Sequence, residues 1–463
     1  MYNHIDEDIL VHLINIIGEE NVFTDKETIE TYSKDETENL FYPPEVVVKP
    51  QNSHQICEIL KLSNHLKIPV YPRGGGTGLS GGALCYYGGI ALSIEKLNKI
   101  LEIDNNNLQV VVEPGVITQT FQEKLEENGL FYPPDPASRG SCMLGGNIAE
   151  NSGGPRALKY GVTKDYVLSL EAVLPSGEII NTGTRTLKNV TGYNLTQLLT
   201  GSEGTLAVIT KITFKVLVMP KFRKVMLAAF NRVDDCISVV SEIFKSGVVP
   251  SALEFMERNA IKAAENHLNR KFPNSEAEAH LLIELDGNYE LTIEKDIEKI
   301  YEIIEENNPY EIILAEDRNK MEALWELRRS TGEAVKSISV YKEIDAVVIR
   351  NKISDLLRGV KEITKNYNIR VVCYGHAGDG NLHVNILKDN LEDDVWRNSL
   401  DKVTEEILKL TVGLGGTISG EHGIGLTQKK FLSIALNNTE IELMKKIKQI
   451  FDPNNILNPG KIF

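Results

Sequence analysis

The stretch YGHAGDGNLHVN, residues 374–385, holds two histidines around glycines, an aspartate and an asparagine that no helix tolerates. The apolar run IRVVC before it and the apolar residues of LHVNIL at its end predict strand, tight turn, strand. In the second strand a period of two sets Asn381, His383 and Asn385 on one face, with His376 at the mouth of the turn. Two imidazoles aimed at one small volume could bind a divalent cation, although a hairpin with two solvated histidines would read the same locally. A metal needs a third protein ligand, and GGTISGEHGIG at 415–425 offers Glu421 beside His422. Two imidazoles and a carboxylate with open positions suit Zn²⁺, with Fe²⁺ or Mn²⁺ as alternatives. Glu421 could instead cap a helix and His422 lie at the surface, but the surrounding Gly420, Gly423 and Gly425 favour close approach of the backbone to a ligand. An anionic substrate needs a cation, and the predicted helix LWELRRSTGEAVKS at 324–337 carries Arg328 and Arg329.

The chain that positions these groups has 463 residues, of which 42% are hydrophobic and 25% charged, enough for a large core in roughly two to three domains. A net charge of −15 argues against nucleic acid or an anionic membrane as partner, since both need basic footprints. The five cysteines are scattered, odd in number and never arranged as CxxC, so neither a disulfide framework nor an iron–sulfur cluster is encoded and a reducing cytoplasm fits. No apolar run reaches the roughly 18 residues that a membrane span needs. Residues 1–40 read as a helical segment and 41–220 as a glycine-punctuated α/β region. From 221 to 463, β-like runs alternate with long amphipathic helices, an order that predicts an antiparallel, ferredoxin-like sheet covered on one face by helices.

PRGGGTGLSGG at 72–82 contains a G-x-G-x-x-G directly after the strand-like IPVYP. A Rossmann unit would then need a helix of about a dozen residues, N-terminus facing the pyrophosphate. Only ALCYYGG separates Gly82 from the next strand, IALSI, so that reading fails. What remains is a glycine loop beside Arg73 whose backbone N–H groups can curl around phosphates. A second loop of this character, PPDPASRGSCMLGGNIAENSGG, fills 133–154, and GSEGT precedes a β-branched strand in TGYNLTQLLTGSEGTLAVITKITF. Three such loops imply one extended ligand with a diphosphate.

RGGGTGLSGG, then PPDPAS…GGNIAENSGG…KYG, then GYNLTQLLTGSEGTLAVIT resembles the FAD-binding domain of the vanillyl-alcohol-oxidase/p-cresol-methylhydroxylase type of flavoprotein. GHAGDGNLH, GEHGIG and the tail FDPNNILNPGKIF resemble the C-terminal cap of its 2-hydroxy-acid branch, the FAD subunits of glycolate oxidase, D-lactate dehydrogenase and D-2-hydroxyglutarate dehydrogenase. The resemblance runs from about residue 40 to 463. It implies an α+β chain with a two-subdomain, non-Rossmann FAD-binding domain and a cap with an antiparallel sheet and helices. FAD contacts are then expected from Arg73, Gly74, Gly75, Gly76, Thr77, Gly78, Leu79 and Ser80 in the first loop. Asp135, Ser138, Gly145, Gly146, Asn147, Asn151, Ser152 and Gly153 are expected from the second, Gly204, Val208 and Ile209 from the third, and Asn381 from the hairpin. Covalent flavin attachment is not implied, because no histidine or cysteine lies within the first loop; Cys85 is just beyond it.

The same resemblance implies that His376, His383 and Glu421 hold the metal and that His422 is the general base. Arg328 matches the arginine that takes the substrate carboxylate, while Lys342 and Asn385 match substrate-contacting residues. The threonine that follows this arginine by four residues in the 2-hydroxyglutarate enzymes is Gly332 here, which favours a smaller acid. The expected reaction is FAD- and metal-dependent oxidation of a D-2-hydroxy acid, D-lactate or glycolate, to the 2-oxo acid by hydride transfer to flavin N5. Electrons then leave for an iron–sulfur subunit, an electron-transferring flavoprotein, a quinone, a cytochrome or oxygen. A cytoplasmic location, peripheral to the inner membrane only through such a partner, and a homodimer both fit. The competing readings are D-2-hydroxyglutarate dehydrogenase, a metallohydrolase, which leaves the glycine loops unexplained, and a non-redox flavoprotein transferase of the ether-lipid synthase type.

Overall fold

The computed structural model describes residues 2–315 and 317–463. The chain divides into two compact units. The first is the chain up to Gly153 with Val162–Met219 and Glu421–Phe463; the second is Gly154–Gly161 with Pro220–Gly420. The tail joins the first unit because it extends a strand there: Val70 N–H donates to Ile456 O at 2.8 Å and Asn458 N–H to Val70 O at 2.7 Å.

In the first unit, β1 (Val22–Phe23), β2 (Val46–Val48), β3 (Val70–Arg73) and β4 (Ile90–Ser93) form a sheet of order β1-β2-β4-β3. Residues 1–40, expected to be helical, carry helices Glu7–Ile17 and Lys26–Tyr32, opened by the caps Asp6 and Asp25, with β1 between them. Ile9, Leu13 and Ile17 lie on one helical face, and they close a core with Val46, Val48, Ile56, Leu60, Val70 and Leu92. Strands β3 and β4 are parallel neighbours joined only by the glycine loop, with no crossover helix, as the spacing required. A second sheet has β5 (Ile100–Asp104), β6 (Gln109–Val112), β8 (Val167–Val173), β9 (Ile179–Gly183) and β10 (Val208–Lys215) in the order β5-β6-β10-β8-β9. The short β7 (Leu130–Phe131) and β11 (Leu217–Val218) pair separately. Part of the second glycine loop, LGGNIAE, is a helix, Leu144–Glu150, rather than irregular chain.

The second unit is built on seven antiparallel strands: β12 (Phe222–Phe230), β13 (Ala252–Glu257), β14 (Ala279–Gly287), β15 (Pro309–Ala315), β16 (Tyr341–Val347), β17 (Arg370–His376) and β18 (Asn381–Leu387). Their order is β15-β12-β14-β13-β17-β18-β16. Every residue of β13 and β18 is buried, so the sheet is covered on both faces and the expectation of helices on one face is corrected. Helices Arg258–Leu268 and Arg318–Ile338 pack on the face of Met256, Val372 and Tyr374. Helices Val233–Lys245, Glu290–Glu305, Ile353–Asn366 and Asp393–Gly413 form a further layer in contact with one another. Asp317 caps the arginine helix by accepting from Lys320 N–H at 2.9 Å.

Candidate active site

The hairpin forms as its sequence requires. Gly380 has φ +80°, and any Cβ there would run into the Val348 carbonyl. Strand register then sets the chemistry. On one face of the sheet Glu254 stands opposite His376, Tyr374 opposite His383, and His383 opposite Asp345. The two histidine rings are 5.4 Å apart, edge to face, and both are buried. His376 Nδ1 lies 2.8 and 2.9 Å from the Glu254 carboxylate oxygens, and His383 Nδ1 lies 2.9 Å from Glu343 Oε1. A carboxylate at Nδ1, as at His376, favours the proton on that nitrogen and fixes the direction of Nε2, the arrangement that surrounds histidines ligating a metal. The donor set therefore fits a divalent cation.

Arg328 is buried beside this row, its Nη2 2.6 Å from Glu254 Oε2 and its guanidinium 5.2 Å from the centre of the Tyr374 ring. Burial alone would raise the Glu254 carboxyl, but His376 and Arg328 hold it below the ordinary range. Nε of Arg328 has no hydrogen-bond partner, and neither has either amide atom of the fully buried Asn385. The Tyr374 hydroxyl is near enough to feel that amide but is not aligned with it. Orphaned polar atoms at this depth are costly unless a ligand meets them. Arg329 points elsewhere: it pairs with Glu322 at 2.9 Å on the surface. Lys342 lies on β16 opposite Ile386, half-buried. Asn381, expected at the cofactor, commits Nδ2 to Asp345 Oδ1 at 2.7 Å and to Ala346 O at 3.2 Å.

In the first unit the glycine loops converge. The backbone N–H groups of Gly75, Gly76, Thr77, Gly78 and Leu79 meet no protein acceptor. A Cβ at Gly78 or Gly146 would meet nothing within 4 Å, while Gly74 lies against Gly146. Consecutive unsatisfied N–H groups suit a diphosphate. Arg73, expected at the cofactor, lies against Gly76 of the loop, donates from Nη1 to Tyr32 O at 3.3 Å and stacks 5.0 Å from the Tyr32 ring. Asn147 is likewise spent inside the fold, bonded to Thr118 and to Ser152. Asn151 Oδ1 accepts from Lys164 N–H, and the Ser138 carbonyl accepts from Ser141 and Cys142. Asp135 and Ser152 lie in the same second loop, Gly204 has φ +65°, and Val208 and Ile209 open β10. Ser80 offers its carbonyl to Leu426 N–H at 2.8 Å. Cys85 is fully buried, which pushes its thiol up to about 12 and leaves scarcely any thiolate to react.

Three residues of the quoted motifs to which the sequence assigned no role, Glu150, Glu203 and Asn458, lie where the GEHGIG segment meets these loops. Glu203 accepts from Ile424 N–H at 2.8 Å and Gly425 N–H at 2.7 Å. Asn458 Nδ2 donates to Gly82 O at 3.1 Å and to Glu203 O at 2.7 Å. Glu150 stands next to Gly423, where a Cβ would collide with its carboxylate. Burial raises both carboxyls, Glu150 further because the neighbouring Glu203 repels its charge while Glu203 has two N–H donors for its own. Glu421 lies beside Gly153, and His422 is half-buried. Thus the structure gathers His376, His383, Asn385 and Arg328 in the second unit, and the three loops with Glu421 and His422 in the first.

Residues 44–183 match the family described as FAD binding domain, and residues 219–462 match FAD linked oxidases, C-terminal domain. The chain is 40% identical over 460 residues to glycolate oxidase subunit GlcD of Bacillus subtilis, spanning 99% of this chain and 97% of that protein. It is 40% identical over 437 residues to D-lactate dehydrogenase of Archaeoglobus fulgidus, spanning 94% and 95%. Substrate-bound p-cresol methylhydroxylase superposes with a TM-score of 0.80 over 98% of this chain and 96% of its own, at 17% identity, a likeness of fold. These matches bear out the resemblance read from the motifs, and the chain is an FAD-dependent oxidoreductase. No helix among the described residues is long and apolar enough to cross a membrane.

Proposed function

Because the chain belongs to the family of FAD-linked oxidases, we propose that it oxidises a small D-2-hydroxy acid, D-lactate or glycolate, to the 2-oxo acid. The observation that carries this reading is a group of buried side chains in the second unit: Arg328 with an unsatisfied Nε, Asn385 with an unsatisfied amide, and the adjacent rings of His376 and His383. That donor set suits a carboxylate with an adjacent hydroxyl. Arg328 binds the carboxylate, with Asn385 and Lys342 completing its contacts. Gly332, one helical turn beyond Arg328, leaves little to grip a second carboxylate, so D-2-hydroxyglutarate is the alternative substrate.

His376, His383 and Glu421 are the ligands proposed for Zn²⁺, or Fe²⁺ or Mn²⁺. Gly420 supports the third, since its N–H donates to Asp345 Oδ2 at 2.7 Å and Glu421 is its covalent neighbour. Bound metal would acidify the substrate hydroxyl. His422 takes the hydroxyl proton, the role of a neutral imidazole acting as general base. FAD, when bound, accepts the hydride from the α-carbon. Gly74–Ser80, the 133–154 loop with Asp135, Ser138, Gly145, Gly146, Asn151, Ser152 and Gly153, and Gly204, Val208, Ile209 and Asn381 are its proposed contacts. A separate acceptor protein, quinone or oxygen then takes the electrons. Anaerobic mixing of the yellow protein with a panel of D- and L-2-hydroxy acids tests the proposal. Bleaching by D-lactate or glycolate is expected, and a flavin that stays oxidised with every 2-hydroxy acid would sink it.

A further inference from the structure

Glu254 is a charged residue with zero exposure in the apolar strand ALEFME. A lone buried carboxylate is too costly to keep without partners, and this one has them on two sides. Both its oxygens face His376 Nδ1, at 2.8 and 2.9 Å, and Oε2 also lies 2.6 Å from Arg328 Nη2. The geometry points to Glu254 as a positioning residue shared by the metal ligand and the substrate arginine. It rests on the reading above that His376 ligates metal and Arg328 holds the substrate carboxylate. One end of the carboxylate fixes the His376 tautomer and ring direction, so Nε2 is presented for ligation. The other end sets the guanidinium fork for substrate. Because one rigid group serves both, a disturbance on either side is felt on the other, and by linkage the effect is reciprocal. Glu343 lies 2.9 Å from His383 Nδ1.

A second buried carboxylate on the same strand separates this role from simple support of the fold. Glu257 is 3% exposed, three residues on, and bonds Cys373 N–H at 2.8 Å and Lys361 Nζ at 2.9 Å, away from the histidines. The experiment uses full-length, FAD-loaded protein stripped of metal and titrated with Zn²⁺ against a chromophoric chelator. Glu254→Gln is expected to weaken Zn²⁺ binding by roughly 10–100-fold, the usual effect of losing a group that orients a ligand. Glu257→Gln should leave it within about threefold, because that carboxylate bonds Cys373 N–H and Lys361 rather than a histidine. Arg328→Lys, which touches no histidine, should also weaken Zn²⁺ in the wild-type background and add nothing once Glu254→Gln is present. The KM for D-lactate should rise in Glu254→Gln alongside the loss of Zn²⁺ affinity. Should Glu254→Gln not fold, Arg328→Lys alone reads the coupling, with Glu254→Asp expected to fall between wild type and Gln. Unchanged Zn²⁺ affinity in Glu254→Gln, or in Arg328→Lys, overturns the inference while leaving the proposed reaction standing. A wild type that binds no Zn²⁺, Fe²⁺ or Mn²⁺ overturns the metal reading and this coupling together.

Discussion

Replacing Gly332 with threonine should turn the enzyme toward dicarboxylates. Gly332 sits in the interior of helix Arg318–Ile338, four residues after Arg328 and so on the same face one turn on. It is half-buried, and a Cβ there would come 3.4 Å from the Tyr374 hydroxyl, an ordinary contact that needs no rearrangement. Folding should barely change, since glycine costs about 1 kcal/mol and threonine about 0.6 kcal/mol against alanine in a helix. The new hydroxyl stands one turn from the guanidinium that binds the first carboxylate, where a second carboxylate of the substrate can reach it. A hydrogen bond to a charged group contributes about 1.5–3 kcal/mol, or roughly 10–150-fold in kcat/KM. The added bulk meanwhile crowds D-lactate. The ratio of kcat/KM for D-2-hydroxyglutarate to that for D-lactate should therefore rise at least about tenfold, read from anaerobic flavin bleaching. If Gly332→Thr is folded and flavin-loaded yet the ratio is unmoved, Gly332 does not face the substrate and the argument for a small acid fails.

Arg328→Lys keeps the charge but loses the fork, so kcat/KM should drop roughly 10–100-fold, while the surface-paired Arg329→Lys stays within about threefold; the reverse order would show the wrong arginine was chosen. Gly78→Val has room for its side chain only in the space proposed for the diphosphate, so it should purify folded but colourless. Gly75→Val meets the Ser141 carbonyl and should fail to fold; full flavin occupancy in Gly78→Val would remove the loop from the site. His280 is buried against Phe272, which pushes its imidazole down to about 4. The unfolded chain binds that proton near pH ~6.5, so stability is whole above that value and is lost as pH falls toward about 4, by roughly 2 kcal/mol at pH 5. Urea titrations of His280→Gln should lack that part of the acid loss, and an identical slope in both proteins would refute it.

Local chemistry made much of this protein legible. Seven residues between Gly82 and IALSI leave no room for a helix, which excludes a Rossmann unit, and β3 and β4 indeed run parallel across a bare loop. The histidine hairpin and the arginine helix were equally readable, because turn glycines and a 3.6-residue period act over a few neighbours. Glu254 and Glu343 were not. A charged residue at a core-facing position of ALEFME or YKEIDAV is a signal that something pays for its burial, but not what. The partner of Glu254 is 122 residues away and is set only by β13 lying next to β17. The contact of Arg73 with Tyr32, the grip of Glu203 on the GEHGIG segment and the bond of Asn458 to the Glu203 carbonyl are of the same kind. Sequence by itself determined which residues could bind flavin, metal and acid, since those capacities belong to side-chain type and short spacing. Tertiary structure alone decided which of them are oriented and by what, since cross-strand register and loop docking depend on segments hundreds of residues apart.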